Sequence, residues 1–524
     1  MPGYEETRRA RLADERPIEA PKRFGAYRIA LGFPNSYEVG MSNLGFQWVL
    51  RLFNRVEDVV CERFFFEPGS PAETFETQTP LSEFGLIAWS VSWEMDYLNL
   101  LKTLDSARIP RRAQDRDERH PILMIGGDCS RINPSPLTPF LDIFAMGDGE
   151  KLVVPLSNLL KLGLDRSRFL EEAARIPGLF VPAVQGLRAE GSMAGKIVIQ
   201  QAMSRKEIGP DYEVPHTSIL TPRTELSDKL LIEISRGCTE MCKFCWAAYA
   251  MAPIKQYPAS SILATARLGR QFTDRAGLIA TAVCDHPEIE TILSGLADLE
   301  FHIALSSIKI DAIRPEILAI LARQGEKSLS IAPEAGNERL RRHINKKVSD
   351  SLLREKVRMI FQHGFTNLKL YLQIGLPSET DEDVRDLVRL VSDCHQIALA
   401  EAKTTGRMAT LVPSVNAFIP KPHTPYEHES LATEGEIKAK TELLTREFAK
   451  LSNVRFRGMP VSEARWEAFL AKMDESAAEI LERGADGVPV RRLLKDHRAE
   501  IDAVVSPSMP VPKAASPWGF ISKR

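Results

Sequence analysis

The stretch "KLLIEISRGCTEMCKFCW", Lys229–Trp246, places three of the chain's seven cysteines directly after an apolar segment that is typical of a β-strand. Cys238, Cys242 and Cys245 follow the spacing C-x3-C-x2-C, and Gly237 relaxes the backbone where the strand turns into the loop. Three thiolates from one short loop can hold three irons of a cubane cluster. The fourth iron then has no protein ligand, and a substrate or cofactor can bind there.

A structural zinc site is the alternative for these cysteines. Such a site takes four protein ligands. Cys284 and His286, in "AVCDHP", could complete it. Cysteine and histidine suit both metals, so the spacing alone leaves this alternative open.

Composition excludes several classes of protein. The chain has 524 residues, 44% hydrophobic and 26% charged, with 68 Lys and Arg against 70 Asp and Glu. This balance gives no bulk electrostatic footprint for nucleic acid or an anionic membrane surface, although a local patch stays possible. The charged N-terminus has no apolar segment typical of a signal peptide, and no later run is long enough to span a bilayer. We expect a cytoplasmic protein with reduced thiols that binds no membrane, and the charge balance disfavours nucleic acid without excluding it.

Alternating strand and helix patterns predict an α/β protein. After a charged lead-in (1–25), residues 26–185 predict a doubly wound, Rossmann-like parallel sheet, and 186–224 a linker. Six βα units in 225–427 predict a partial (β/α)6, TIM-like barrel, and 428–524 a helical region with an irregular tail. In such barrels the chemistry lies at the carboxyl ends of the strands, where the three cysteines fall.

The stretch "RGCTEMCKFC" resembles the signature of radical SAM enzymes, in which an aromatic residue, here Phe244, lies between the last two cysteines. The resemblance implies a [4Fe–4S] cluster on Cys238, Cys242 and Cys245, with S-adenosylmethionine (SAM) on the open iron. One electron from the cluster would cleave SAM to a 5′-deoxyadenosyl radical. An external one-electron reductant of the flavodoxin or ferredoxin type is then implied as a partner.

Two further stretches are similar to SAM-binding segments of the same family. "IAPEAG" places Glu334 where a glutamate contacts the SAM ribose, and "IGLPSETDED" places Gly375 beside the adenine, with Thr380 and Asp381 as a helix N-cap. Their alternatives are an exposed strand-end carboxylate and an ordinary strand-to-helix turn. The residues expected at SAM are Phe244, Ser306, Glu334, Gln373, Gly375 and Asn416.

Three loops of the N-terminal sheet resemble those of the cobalamin-binding domain fused to many radical SAM enzymes. They are "WSVSWEMDY", "IGGDCS" and "GDGEK", and the residues expected at cobalamin are Ser90, Ser92, Gly126, Gly127, Gly147, Gly149 and Glu150. The D-x-H-x-x-G motif is absent, so cobalamin would bind without a histidine ligand. Glycine turns also occur in any tight βα connection, and fold analogy does not establish a ligand.

These patterns favour a cobalamin-dependent radical SAM enzyme that transfers a methyl or alkyl group to an unactivated carbon. The alternative is a cobalamin-independent radical SAM enzyme that modifies RNA, a peptide or a small molecule, with the N-terminal domain binding substrate or capping the barrel. A zinc-binding interaction protein is the remote alternative. The remaining cysteines are scattered, which argues against an auxiliary cluster. No pattern identifies the substrate or the catalytic residues beyond the cluster.

Overall fold

A computed structural model of the chain describes residues 3–186, 198–506 and 516–522. Within these ranges no helix combines the length and hydropathy needed to cross a bilayer. The charged lead-in forms helix α1 (Tyr4–Asp14) and strand β1 (Arg16–Pro17). Arg11 is buried and forms ion pairs with Glu38 and Glu67, each at 2.7 Å, which dock this segment on the sheet that follows.

The N-terminal sheet has the strand order β3-β2-β4-β5-β6-β7 and is parallel except for the β6–β7 pair. The prediction of a doubly wound sheet is confirmed. The strand order reverses beside β2, and ligands of such sheets bind in the crevice at the carboxyl ends of the strands there. The elements are β2 (Tyr27–Phe33), α2 (Tyr37–Ser42), α3 (Leu44–Arg55), β3 (Val59–Phe65), β4 (Leu86–Ser90), α4 (Tyr97–Ser106), β5 (Ile122–Gly126), α5 (Asp128–Ile132), β6 (Ile143–Ala145), α6 (Gly149–Leu160), α7 (Arg166–Ala173), β7 (Leu179–Phe180) and α8 (Pro182–Gln185).

Helices cover both faces of this sheet, so its central strands are apolar throughout. All five residues of β4 are buried. Ile87 and Trp89 belong to one apolar cluster, while Leu86 and Ala88 belong to a second cluster on the opposite face. The continuous apolar runs of the sequence thus reflect burial on two sides.

The predicted linker packs against the N-terminal sheet where the structure describes it. It contains β8 (Val198–Ile199) and β9 (Ile219–Leu220), and β9 pairs antiparallel with β1. The side chain of Gln47, in α3, accepts hydrogen bonds from the backbone of Ser218 and Ile219 at 3.0 and 2.9 Å. Residues 187–197 of this predicted segment lie outside the described residues.

The barrel contains six parallel strands, as predicted. They form the sheets β10-β13-β14 and β15-β16-β17, and a parallel bridge between Ile308 and Ile331 joins the two. A short strand of the C-terminal region, β18 (Arg457–Gly458), extends the second sheet by pairing parallel with β17. The elements are β10 (Leu230–Glu233), β11 (Ser235–Arg236), α9 (Trp246–Ala250), β12 (Lys255–Gln256), α10 (Ala259–Gly269), β13 (Arg275–Ile279), α11 (Ile289–Asp298), β14 (His302–Leu305), α12 (Pro315–Arg323), β15 (Ser328–Glu334), α13 (Glu338–His343), α14 (Asp350–Gln362), β16 (Asn367–Ile374), α15 (Asp381–Thr405) and β17 (Thr410–Ala417).

Only one face of the barrel strands β15, β16 and β17 is fully covered. In β16 the buried residues Leu368, Leu370, Leu372 and Ile374 join the apolar cluster that contains residues of α14 and α15. The alternate side chains of β16 face the interior of the barrel and are only partly covered, because successive side chains of a strand point to opposite faces. On this half of the barrel, the inner face is therefore a partly covered lumen lined by polar groups.

The C-terminal region is helical, as predicted, and is tied to both preceding domains. Lys421, in the loop after β17, is bonded to Glu94 of the N-terminal domain at 2.7 Å and to Glu467 of the C-terminal region at 3.0 Å. Residues 507–515 and 523–524 of the predicted tail lie outside the described residues. The elements are α16 (Glu434–Phe448), β18 (Arg457–Gly458), α17 (Val461–Lys472), α18 (Ala478–Ala485), α19 (Val490–Asp496), α20 (Arg498–Val505) and β19 (Ile521–Ser522).

Candidate cofactor site

The three cysteines lie in a loop whose base is a small antiparallel hairpin. Strands β11 and β12 pair Arg236 with Lys255 and close the loop over residues 237–254. Gly237 has φ +96°, and a Cβ atom there would lie 2.7 Å from the carbonyl oxygen of Met251. A side chain at this position would be both strained and in collision, which explains the glycine before the first cysteine.

The loop holds its thiols close to the protein interior. Cys242 is buried and Cys238 and Cys245 are partly exposed, and none of the three is in a disulfide. Burial raises the pKa of Cys242 to about 12 and also raises the pKa values of Cys238 and Cys245. Loading a cluster on these residues therefore displaces thiol protons.

The arrangement of the thiols bears on the kind of metal group that they could hold. Across the described residues, no three His, Cys, Asp or Glu side chains come together closely enough to hold one metal ion. Each thiolate of a cubane binds a different iron, so a cluster does not require such convergence. Three thiols in one loop are compatible with a cluster that has one open iron.

His286 does not complete a zinc site. Its Nε2 atom lies 2.8 Å from the carbonyl oxygen of Tyr257, and its Nδ1 atom accepts a hydrogen bond from the backbone of Glu288 at 3.1 Å. Both ring nitrogens are occupied by backbone groups, and burial lowers the pKa of this histidine. The zinc alternative therefore loses His286 as a fourth ligand, whereas Cys284, which is buried and not in a disulfide, stays a candidate.

Two residues that the sequence analysis missed brace the cysteine loop. Lys309 Nζ bonds to Glu240 at 2.5 Å and to Asp285 at 2.9 Å. The Asn345 side chain donates to the carbonyl oxygens of Glu240 and Met241 at 3.1 and 3.0 Å. These braces come from the connections after β14 and α13, and no local pattern in the sequence signals them.

Two of the residues expected at SAM contact each other beside the cysteines. Gln373 donates from Nε2 to Glu334 Oε2 at 2.9 Å, and Lys346 Nζ lies 3.5 Å from Glu334 Oε1. Besides burial, the charge of Glu334 contributes to the raised pKa values of Cys242 and Cys245, so this carboxylate lies close to the thiols. Glu334 has φ +66°, a strained conformation for a residue other than glycine that is often found at functional sites.

Within the described residues, three other residues expected at SAM make no side-chain hydrogen bond to this pair. Asn416 is the register neighbour of Gln373 on β17 and is exposed. Ser306 is exposed and makes one long hydrogen bond, 3.4 Å, to the carbonyl oxygen of Ala280. Phe244 packs against an apolar cluster of Ala335, Leu340, Ile344, Leu376, Phe418 and Tyr426.

Gly375 has φ +77° and ends β16, and its backbone N–H donates to Glu379 at 2.8 Å. A Cβ atom at Gly375 would lie 3.0 Å from the Ala432 side chain, so a larger residue is disfavoured on two counts. Thr380 is the N-cap of α15, as predicted, and forms a capping box with Asp383.

All seven residues expected at cobalamin line two adjoining cavities at the carboxyl edge of the N-terminal sheet. The first cavity, of about 250 Å³, lies between this edge and the barrel and includes Ser92 and Glu150 together with Arg236, Met251 and Ile279. The second, of about 70 Å³, is an apolar slot between the sheet and helices α3 and α6 that includes Gly126. The remaining four line both cavities: Ser90, Gly127, Gly147 and Gly149.

Glycine occupies three positions at this edge for different physical reasons. A Cβ atom on Gly127, which has φ +97°, would lie 2.6 Å from the carbonyl oxygen of Val91, and one on Gly147 would collide with the carbonyl oxygen of Gln201. Gly126 has room, because the nearest atom to such a Cβ is the Ala145 side chain at 3.7 Å. Chain packing explains the first two, whereas Gly126 leaves space in the slot.

A buried ion network joins the same edge to the cysteine loop. Asp148, which the sequence analysis did not single out, is bonded to Arg131 at 3.0 Å, Arg236 at 2.9 Å and Lys255 at 3.0 Å. Burial alone would raise the pKa of Asp148, but the charges of Arg236, Arg131 and Lys255 hold it far below its usual value. Arg236 also bonds to Glu233 at 2.7 Å and to Glu150 at 3.2 Å.

Comparison with protein families gives two matches. Residues 45–182 match the model described as the N-terminal region of radical SAM proteins, and residues 232–391 match that of the radical SAM superfamily. The uncharacterised protein MJ0966 of Methanocaldococcus jannaschii is 25% identical over 477 residues, which cover 90% of this chain and 94% of that protein. The ribosomal protein uS12 methylthiotransferase RimO of an Anaeromyxobacter species is 28% identical over 37% of this chain, a match that spans less than half, 45%, of RimO.

Solved structures with the same fold include two cobalamin-dependent or methyl-transferring enzymes. The radical SAM methyltransferase TsrM from Kitasatospora setae, with tryptophan and a SAM analogue bound, has a TM-score of 0.52 at 14% identity, over 77% of this chain and 76% of TsrM. The cobalamin-dependent SAM radical enzyme OxsB, with aqua-cobalamin and SAM bound, has a TM-score of 0.52 at 12% identity, over 94% of this chain and 74% of OxsB. At these identities the likeness shows a shared fold.

Proposed function

This chain belongs to the radical SAM superfamily, and on that premise we propose that it is a cobalamin-dependent enzyme that transfers a methyl or another alkyl group to an unactivated carbon. Membership implies a [4Fe–4S] cluster and SAM. When bound, these groups supply a 5′-deoxyadenosyl radical for hydrogen abstraction, and cobalamin supplies the alkyl group. The protein contributes position and shielding.

The roles at the iron–sulfur cluster and at SAM fall on residues of the barrel. Cys238, Cys242 and Cys245 would hold three irons of the cluster. Glu334 and Gln373, already hydrogen-bonded to each other, would bind the ribose hydroxyls of SAM. Phe244 and the apolar side chains that it packs against would exclude water beside the iron–sulfur cluster.

The observation that carries the proposal is the cavity shared by the two domains. Ser92, Gly127 and Gly149, from the carboxyl edge of the N-terminal sheet, line the same space as Arg236, two residues before the first cysteine, and Met251, in the cysteine loop. A ligand held at this edge would lie beside the base of the cysteine loop. Alkyl transfer needs the two cofactors to serve one substrate, and this proximity supports the proposal.

The polar groups of the cavity favour a ligand with neutral amide groups over a phosphate-rich one. Arg131 and Arg236 are neutralised by buried carboxylates. Asp128 lines the cavity, receives no hydrogen bond from the described part of the chain, and has its pKa raised by burial. A carboxyl group and serine hydroxyls suit the amide-bearing rim of a corrinoid, since these amides both donate and accept hydrogen bonds.

Anaerobic reconstitution with iron, sulfide and hydroxocobalamin, followed by SAM and a reductant, tests the proposal. We expect about four irons per chain, retained corrinoid after gel filtration, and 5′-deoxyadenosine. Cys242→Ser should lose the iron and the 5′-deoxyadenosine, whereas Cys394→Ala, at a buried cysteine of α15, should keep both. 5′-Deoxyadenosine without retained corrinoid would instead favour the cobalamin-independent enzyme. Zinc without iron would contradict the radical SAM chemistry itself.

A further inference from the structure

One carboxylate of the N-terminal domain holds both ends of the cysteine loop. Arg236 and Lys255 face each other across the β11–β12 hairpin, and both bond to Asp148, at 2.9 and 3.0 Å. Asp148 follows β6 and is the N-cap of α6. The base of the loop is therefore clamped by a residue of the other domain.

The carboxylate is fixed in turn from its own side. Arg131, in α5, bonds to Asp148 at 3.0 Å, and the backbone N–H of Met203 donates to its Oδ2 at 2.8 Å. The Asp148 side chain is fully buried, and that of Lys255 is 3% exposed. With water excluded, the geometry of this cluster of charges is narrowly defined, because a buried charge that loses its partner is strongly destabilising.

We propose that Asp148 is a positioning residue that couples the cavity between the domains to the order of the cysteine loop. The coupling to a ligand in the cavity rests on the proposed function. The clamp, which consists of the ion pairs of Asp148 with Arg236 and Lys255, does not. Gly147, Asp148 and Gly149 line the cavity together with Arg236. A ligand that settles against this segment restrains the clamp, and the clamp restrains the loop. By linkage, a loop ordered by its cluster favours the ligand to the same extent.

The N-terminal domain contains a matched control at the opposite end of the same strand. Asp142 directly precedes β6, is buried, and is bonded to Arg116 at 3.1 Å and Arg166 at 2.6 Å. It also accepts a hydrogen bond from the backbone of Leu123 at 2.8 Å. Asp142→Asn therefore removes a comparable buried carboxylate charge that has no contact with the loop.

The first test measures the loop in the full-length protein without cluster or corrinoid. The thiols are alkylated with iodoacetamide and each cysteine is followed by peptide mass spectrometry. We expect Asp148→Asn to raise the alkylation rates of Cys238, Cys242 and Cys245 at least tenfold over wild type, and Asp142→Asn to leave them unchanged. Equal rates in the two variants would overturn the clamp.

Internal controls separate loop release from unfolding. The four remaining cysteines are buried and report global opening: Cys61, Cys129, Cys284 and Cys394. If these also react in Asp148→Asn, the variant Lys255→Met decides, because it leaves the carboxylate and its other partners in place. An increase confined to the loop thiols in Lys255→Met supports the clamp, and no increase overturns it.

The second test measures the coupling and separates it from the proposed function. Hydroxocobalamin added to wild type should slow alkylation of the loop thiols at least threefold, and this protection should vanish in Asp148→Asn but persist in Asp142→Asn. Protection that survives in Asp148→Asn would overturn the coupling. If wild type binds no corrinoid, the proposed function and the coupling both fail, while the alkylation result without cofactor still decides the clamp.

Discussion

The N-terminal sheet and the barrel are built from the same alternation of strands and helices, yet their strands are buried differently. Every residue of β4 is buried, whereas in β16 buried residues alternate with partly exposed ones. The sheet has helices on both faces, and the barrel strands have helices outside and a lumen inside.

This difference decides where each domain can place functional groups. A strand buried on both sides offers few polar side chains to a ligand. In β4 only the last residue, Ser90, lines the cavity, and Ser92, Gly127 and Gly149 come from the segments that follow the strands. The barrel strands contribute their own side chains, as Glu334 and Gln373 show. Under the proposed function, the N-terminal domain would therefore bind its cofactor at this edge, and the barrel would bind SAM within its lumen.

The largest effect that we expect is a difference in the free energy of unfolding between substitutions at two neighbouring residues of β16. Leu370→Ala removes a fully buried side chain and should cost about 2–5 kcal/mol of the free energy of unfolding, whereas Tyr371→Ala, on the lumen face, should cost less than about 1 kcal/mol. In β4, Leu86→Ala and Ile87→Ala should both fall in the higher range, since both side chains are fully buried. Urea unfolding of the cluster-free variants measures this, and equal costs at 370 and 371 would mean that the lumen is a packed core.

A smaller effect, on the affinity for SAM, is expected for a substitution at Glu334 in the lumen. Glu334→Ala removes the carboxylate that we expect at the SAM ribose, and the loss of a hydrogen bond to a charged group, about 1.5–3 kcal/mol, weakens SAM binding by about tenfold or more. Equilibrium dialysis with SAM on the reconstituted enzyme measures this. Glu338→Ala, in α13, is the control, and both variants should keep their iron. Unchanged affinity in Glu334→Ala would place SAM elsewhere.

The sequence predicts the features that depend on local patterns. The apolar runs predict both parallel sheets, since strands covered by helices must be apolar on at least one face. The cysteine spacing predicts the loop, and Thr380 predicts the start of α15, because an N-cap depends on a few neighbouring residues.

Features that join distant residues escape this kind of prediction. Lys255 bonds to Asp148 across 107 positions of the chain, and no periodicity marks either partner. The charged pattern of α1 likewise suggests a solvated lead-in, yet Arg11 is buried because Glu38 and Glu67 neutralise it. Buried charges follow from tertiary pairing, which only the fold reveals.

A substitution in the apolar slot tests ligand binding at the edge of the N-terminal sheet rather than in the lumen of the barrel. A Cβ atom at Gly126 makes no close contact, and Gly126→Val extends the side chain from there into the apolar slot, so we expect the fold to tolerate it. We expect retained corrinoid to fall at least tenfold while 5′-deoxyadenosine formation persists, because the barrel is unaffected. Gly85→Val, at a glycine with open space before β4, is the control. Full corrinoid retention in Gly126→Val would place the ligand outside the slot.

The smallest effect that we expect is a pH dependence of stability at the seam, the contact between the linker residue His216 and helix α3 of the N-terminal domain. His216 is buried, its ring lies 5.6 Å from that of Trp48, and its Nε2 atom contacts Arg51. Burial and the charge of Arg51 lower the pKa of His216 to about 4, so the histidine stays neutral in the folded protein. The unfolded chain binds a proton below a pH of about 6.5, and stability therefore falls as the pH drops from there towards 4.

At pH 5.5 this histidine should lower the free energy of unfolding of wild type by about 1.4 kcal/mol relative to pH 7.5. Two neighbouring groups also bear on it, because the charge of Glu213 favours protonation and that of Arg55 opposes it. Comparing wild type with His216→Gln at each pH cancels the titration of groups elsewhere, such as Asp96, whose burial raises its pKa to about 6 and gives the opposite slope. Urea unfolding between pH 7.5 and 5 measures the difference. A difference that does not change with pH would mean that His216 is protonated in the fold, and that the seam is more open to water than either domain beside it.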